Sequence, residues 1–446
     1  MSKKIGGVLA LAGLCALSLF LVNCGSSSSR PSGLLYVLTQ GINGVGNNIT
    51  SFSIDLGSGN LSEINANAST CTTSGTSCGP PLDIVLDPTG ASAFVLNQGV
   101  PAASVAPTIY GYKINSDGSF GAPSVAATLA MSDTPVVMAR DAAGQFLFVL
   151  DLGSTSTPQN CPPPGTADPG NPKYAGCSSI SVFSMAQGST SLSLVTQFAT
   201  AQTPYYLGRF PTALSTITFT APGSGTSQEF LFVTSNHDPI QANDNTVSVY
   251  SVSSTGILTE QTNSPYVTST DPISVQAVNT FVKGTNSGGV FVYVGSQPTA
   301  SGALNIFELC TVVGQNGCSA SDVQSSLLVP VTVTAPPVPG QLPVAMLVDS
   351  SNTFLYVVCE GSSQVYGYKI SSSGTLSALS PPYEPTGSRP VAMAMHPSVN
   401  ASGTFLYTSN NAASNISGFS VSTTTGSMGT PITVNSPSTP TGMAAR

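Results

Sequence analysis

Short apolar runs, rich in aromatic and β-branched side chains, recur along this chain between polar stretches dense in Gly, Ser, Thr and Pro. They recur in one order. Each unit first places an aromatic before a β-branched residue: Tyr36-Val37, Phe94-Val95, Phe148-Val149, Phe232-Val233, Tyr293-Val294, Tyr356-Val357 and Tyr407-Thr408. A second aromatic then stands three residues after an aliphatic: Phe52 after Ile49, Tyr112 after Ile109, Phe183 after Ile180, Tyr250 after Val247, Phe307 after Leu304, Tyr368 after Val365 and Phe419 after Ile416. Runs of this chemistry bounded by turn residues predict strands. A strand-bearing unit repeated at roughly 50 to 85 residues predicts the blades of a propeller.

A Pro-led run precedes six of the first aromatics: Pro81-Leu82-Asp83, Pro135-Val136-Val137, Pro211-Thr212-Ala213, Pro272-Ile273-Ser274, Pro343-Val344-Ala345 and Pro390-Val391-Ala392. The seventh copy, Pro440-Thr441-Gly442-Met443, stands at the C-terminus with no aromatic after it, and Leu35-Tyr36-Val37 has no Pro-led run before it. The two defects complement each other. The C-terminal run supplies the innermost strand of the blade begun near Leu34, which closes the ring and hides two sheet edges. The expected fold is all-β, a seven-bladed β-propeller of four-stranded antiparallel blades closed by pairing the C-terminal strand with the N-terminal blade. With strands lettered A to D from the axis outward, A is Pro-led, B holds the first aromatic and C the second. Strand D follows turns such as Asp117-Gly118 and Ser373-Gly374. Fourteen of the 18 Phe and 14 Tyr residues occupy the two repeated positions, which predicts core between neighbouring blades.

The N-terminus changes the picture of the compartment. Lys3 and Lys4 precede an apolar run over residues 5–22, followed by Leu21-Val22-Asn23-Cys24. A positive segment, an apolar segment and a cleavage site describe an export signal. The tetrapeptide ending at Cys24 resembles a bacterial lipobox, although Asn23 replaces the usual small residue. Residues 1–23 are therefore expected to be a lipoprotein signal peptide, Cys24 the lipidated residue, residues 24–32 a Ser-rich tether and residues 33–446 a single propeller domain. The alternative is an uncleaved membrane helix, for which the run is barely long enough. The chain is expected in the cell envelope, facing the periplasm or the cell surface.

Cysteine usage agrees with export. Cys71 and Cys78, Cys161 and Cys177, and Cys310 and Cys318 fall into local couples, the natural geometry for disulfides stapling loops in an oxidising compartment. Free thiols in accidental couples are the alternative. Cys359 is left over and is expected to be a buried, inert thiol. Only 7% of residues are charged and the net charge is −8 without a basic patch, which excludes nucleic acid as a partner. No cofactor motif is present and a monomer is expected. The partners foreseen are a small ligand or an envelope protein, with the membrane reached through the lipid on Cys24.

Candidate chemistry falls outside the repeat. Alternating strands send the B–C and D–A connections to one face, where residues 153–178 and 236–245 form long B–C loops and residues 67–80, 201–210 and 379–388 D–A loops. Such a face is where binding usually sits. Arg209 and Arg389 lie just before strand A, His237 lies in a B–C loop, and Glu360 ends a strand B. A lactone or sugar hydrolase would use a carboxylate or His as general base and an Arg for the anion, so Arg209, His237, Glu360 and Arg389 are the catalytic candidates. Exposed loop charge is the plainer account of each. Asp151 shares its position with Asn97 and Asn410 and is expected to cap a strand end. His396 is expected in a turn. Asp238 and Asp244 offer oxygen ligands for Ca²⁺ without the spacing of a dedicated loop, so no metal is expected. Gly75-Thr76-Ser77-Cys78-Gly79 matches a nucleophile elbow but lacks its strand–turn–helix setting.

The stretch from Phe354-Leu355-Tyr356-Val357 through Tyr366-Gly367-Tyr368-Lys369-Ile370 to Ser373-Gly374-Thr375-Leu376 resembles the seven-bladed propeller lactonase family, which includes 6-phosphogluconolactonases and other YVTN-type propellers. The resemblance implies this fold and a lactonase-type activity. The family's enzymes carry Pro-Arg-His at the start of a strand A, then a His-Pro turn and a Tyr-Val-x-Asn-Glu strand end. Here Pro390-Val391-Ala392 and Pro343-Val344-Ala345 stand instead, while His396-Pro397 is retained and Cys359-Glu360 matches in part. Arg389 is displaced by about 7 Å along the strand. Two readings of function follow, a binding or scaffold lipoprotein that uses the looped face, and a lactone hydrolase with a non-standard site.

Overall fold

The computed structural model describes residues 33–41, 47–71, 78–130, 133–153, 177–197, 205–207, 210–236, 245–282, 287–298, 300–314, 318–325, 327–333, 337–397, 404–436 and 438–446. The expected signal peptide, the tether and Cys24 lie outside them, as do Cys161, Arg209, His237, Asp238, Asp244 and the Gly75–Ser77 part of the elbow motif.

Seven antiparallel sheets form the blades, each with the Pro-led strand at one edge of its four-strand path. Blade 2 runs Pro81–Leu86, Ser92–Asn97, Thr108–Lys113 and Ser124–Thr128, and blades 3 to 7 repeat the scheme from Pro135, Phe210, Pro272, Pro343 and Pro390. Blade 1 is built from both chain ends: Thr439–Ala445 pairs with Leu34–Gln40, followed by Asn48–Ile54 and Leu61–Ser69. The backbone N–H groups of Leu34 and Arg446 each donate to the other's carbonyl at 2.9 Å, so the ring closes as the sequence predicts.

Three of the expected loops differ from expectation. The outer strand of blade 6 extends over Leu376–Pro385, through residues read as a loop, and that of blade 1 reaches Ser69. Pro381, Pro382 and Pro385 argue against a strand interior, yet an outermost strand turns one edge to solvent and tolerates missing donors. The loop expected at 201–210 likewise contains Tyr205–Tyr206 paired with strand C of blade 3.

In blades 2 to 7 the A–B register slips by one residue just after the strand-opening Pro, as between Pro81↔Asn97 and Asp83↔Leu96. Pro lacks the N–H that would continue the ladder, and a β-bulge follows it. The extra residues Leu82, Val136, Thr212, Ile273, Val344 and Val391, with Thr441 of blade 1, line the central channel.

All seven first aromatics and all seven second ones are buried. The first aromatics also join blades. The Tyr293 hydroxyl donates to the Gly374 carbonyl at 2.9 Å, Tyr356 to Gly426 at 2.7 Å and Tyr407 to Gly59 at 2.9 Å, each time in the C–D turn of the next blade. Those glycines hold φ of +76°, +73° and +76°.

Candidate functional site

Of the four catalytic candidates, the described residues include Glu360 and Arg389, and the fold brings these two together. Glu360 follows strand B of blade 6 and its N–H donates to the Leu342 carbonyl at 2.8 Å. Arg389 precedes strand A of blade 7 in a left-handed conformation, φ +59°. Its Nε lies 2.6 Å from Glu360 Oε1, with the Arg side chain 60% exposed and the Glu side chain 20%. The bond and charge of Glu360 raise the Arg389 pKa further. Each charge is thereby answered by the other, and an ion pair this open to water contributes about 0–1 kcal/mol.

Asp151 is a strand-end cap, as its position predicts. It is buried and its Oδ1 accepts the Thr134 N–H at 2.5 Å, fixing the D–A connection that leads into Pro135. Asn97, at the same register in blade 2, donates from Nδ2 to the Thr70 carbonyl of its own D–A connection at 3.0 Å. Asp151 Oδ2 has no hydrogen-bond partner among the described residues. Burial and the neighbouring charge of Asp133 push its carboxyl well above the usual range, and burial pushes Asp133 up as well.

His396 lies at the opposite end of strand A, buried in a turn where its N–H donates to the Phe405 carbonyl at 2.9 Å. Asp87, Asp141 and Asp349 hold the equivalent turn in blades 2, 3 and 6, each accepting backbone N–H groups of the following strand or its approach. Cys71–Cys78 and Cys310–Cys318 are disulfides, and Cys177 is disulfide-bonded too. The elbow motif thus ends in a disulfide-bonded loop, with Gly79 at φ +75°. Cys359 is a buried free thiol pushed up to about 12 by burial.

The channel holds a residue that the repeat pattern concealed. It encloses a cavity of ≈ 350 Å³ walled by aliphatic, Met, Thr and Ser side chains, and Asp83 is the one titratable group among its described lining residues. Asp83 Oδ1 accepts the Ile84 N–H at 2.8 Å and Oδ2 accepts the Met138 N–H at 2.9 Å, which ties strand A of blade 2 to strand A of blade 3. Burial raises its pKa to about 6 against the pull of those two bonds. The signal was present in sequence: Val137, Ala213, Ser274, Ala345, Ala392 and Gly442 stand two residues after the Pro in the other copies, so a carboxylate there is the exception.

Residues 320–440 match the family model described as Lactonase, 7-bladed beta-propeller, which bears out over that segment the resemblance drawn from the repeat of blade 6. No curated protein matches the chain. Among solved structures, the chain is similar to the Pseudomonas aeruginosa periplasmic gluconolactonase PpgL at 14% identity, covering 93% of this chain and 98% of that one with a TM-score of 0.57. A protein from Lactobacillus plantarum is similar at 13% identity, covering 93% and 99% with a TM-score of 0.57. A putative 6-phosphogluconolactonase from Bacteroides uniformis is similar at 11% identity, covering 93% and 99% with the same TM-score of 0.57. At these identities the likeness is one of fold.

Proposed function

We propose that this chain is an exported, lipid-anchored β-propeller that binds a small ligand or an envelope protein at the face carrying its B–C and D–A loops. The observation that carries the reading is the mutual neutralisation of Glu360 and Arg389 at 2.6 Å. A general base must be free to take a proton, and an anion anchor must present an unanswered charge. Neither residue meets that demand. Val344, Ala345, Val391 and Ala392, where the resembled enzymes carry Arg and His, belong to the wall of the central channel. Export is supported by Lys3, Lys4 and the apolar run before Cys24, and by disulfides that suit an oxidising compartment.

Lactone hydrolysis is the second reading, favoured by the match of residues 320–440. The two readings part in one assay. The full chain in detergent micelles is given gluconolactone, and ring opening is followed by proton release. Binding without catalysis predicts the uncatalysed rate, unchanged by Arg389→Ala or Glu360→Ala. A rate above that background which falls about a hundredfold in either variant establishes the hydrolase instead.

A further inference from the structure

The long loops occupy one side of the ring, and the chain enters the fold on the other, among the A–B and C–D turns. Gly33 is buried just before strand B of blade 1, and its carbonyl accepts the Ile54 N–H at 2.9 Å. A Cβ added to it would stand 3.0 Å from His396 Nε2 and from the side chains of Ile54 and Leu56. His396 lies in the A–B turn of blade 7, Ile54 ends strand C of blade 1, and Leu56 lies in the C–D turn that follows. The entry point is fixed on the turn side.

That position decides where a lipid on Cys24 can hold the ring. The peptide steps joining Cys24 to Gly33 span at most about 30 Å when fully extended. To seat the loop side on a membrane, the tether would have to pass around the rim. From strand B that path crosses strands C and D, about 10 Å, and then follows the depth of the ring, about 20 Å for a strand such as Leu34–Gln40. It exhausts the tether before the loops themselves are passed. The turn side needs none of that path. Blade 5, reached from blade 1 through blades 7 and 6, offers a second point of contact across the ring. Its A–B turn exposes Val282 at 52%, and its C–D loop, stapled by Cys310–Cys318, exposes Val313 at 60%. Val338 and Leu342 are exposed on the loop side as well, so apolar tips alone do not choose a side. The tether does. Charge does not oppose it, since Asp55, Asp117 and Asp322 on the turn side stand with Lys113 and Lys369.

We propose that the turn side seats flat on the surface of a lipid bilayer, held by the anchor below blade 1 and by Val282 and Val313 across the ring. The inference rests on the lipid anchor proposed for Cys24. The acyl chains supply the affinity, since two valine tips bind a membrane only weakly by themselves, and the valines set the tilt. The loop side then faces away from the membrane, held about 20 Å or more above it by the depth of the ring and open to a ligand or partner.

The chain contains no Trp, so a single introduced tryptophan reports its own surroundings. Val282→Trp, Val313→Trp, Val338→Trp and Val125→Trp are made one at a time in the full chain, expressed in a bacterium that processes lipoproteins. Each is placed on phosphatidylcholine vesicles, either plain or brominated in the acyl chains. Val338 samples the loop side, and Val125, on the outer strand of blade 2, samples the rim beside blade 1. Val282→Trp and Val313→Trp are expected to enter the headgroup boundary and lose emission at least about twofold to bromine, and the other two to lose none. All four positions are exposed, and the two turn-side variants test the seat independently should one misfold. Mass spectrometry of the N-terminal peptide reads acylation separately. Absence of acyl chains on Cys24 strikes the anchor and, with it, the premise of the seat. With acylated protein on the vesicles, the seat alone is overturned if Val338→Trp or Val125→Trp is quenched instead, if all four are quenched alike, or if none is.

Discussion

At the residue scale, the buried carboxyls set how stability varies with pH. Asp151 is 3% exposed, and burial together with Asp133 raises its pKa in the folded state. Between the unfolded value, about 3.9, and the raised folded value, the fold holds a proton that the unfolded chain has already lost. This contribution to stability is therefore full below about pH 4 and is lost as pH rises through that window. Asn97 and Asn410 occupy the same register in blades 2 and 7, so an amide serves the position. Asp151→Asn removes the enclosed charge and relieves Asp133. At pH 8 it is expected to stabilise the protein by about 1–3 kcal/mol, and to flatten the decline between pH 5 and pH 8. Urea unfolding at the two pH values checks this, and equal destabilisation at both would show that the second oxygen has a structural task.

At the scale of elements, the strand-B aromatics act as clamps on the neighbouring blade. In blade 6, Tyr356 donates to the Gly426 carbonyl while Phe354 lies over the same glycine, so closely that an added Cβ would stand 2.3 Å from its ring. Gly59 with Phe405 and Gly374 with Phe291 repeat the arrangement at 2.4 and 2.2 Å. Where blade 3 carries Phe148 in place of Tyr, Gln197 takes over, donating to the Gly256 carbonyl at 2.9 Å. Gly426→Ala combines a positive φ with a ring that cannot retreat, and is expected to cost about 3 kcal/mol or more. Tyr356→Phe strands one buried carbonyl and is expected to cost about 1 kcal/mol. Thermal melts of the two variants check the order; a milder Gly426→Ala would mean that the blades can slide apart. Both halves of each clamp were visible in sequence, one as the repeated Tyr-Val and the other as the turn glycine. Their partnership was not, because Tyr407 and Gly59 lie 348 residues apart and only ring closure makes them neighbours. The site was legible to a similar depth. Glu360 and Arg389 were singled out by loop position, but their mutual bond depends on how blade 7 sits against blade 6. Asp83 escaped because strand A reads as core, and a lone acid within a core strand is easily taken as part of the pattern.

At the scale of the whole molecule, the ring is held shut by one strand drawn from the far end of the chain. Six blades are each continuous in sequence, whereas blade 1 forms only when residues separated by some 400 positions meet, as Gln40↔Thr439 do in the closing register. Loop-closure entropy makes that pairing the costliest contact to form, although the cost grows only with the logarithm of length. The same arithmetic gives closure the largest response to a cross-link. Gln40 and Thr439 are partly exposed register partners at the rim of the pair, so exchanging both for cysteine removes little core and places two thiols across one antiparallel rung. An oxidised Gln40→Cys/Thr439→Cys protein is expected to gain up to about 5 kcal/mol in the chain-entropy account, which a melt would register as a rise of about 5–10 °C. Each single-cysteine variant, melted alongside under the same oxidising conditions, isolates the cross-link from the substitutions. A formed disulfide that leaves the melt unchanged would mean that unfolding begins in another blade while the closure stays intact, and that the strand from the C-terminus is not where the ring opens.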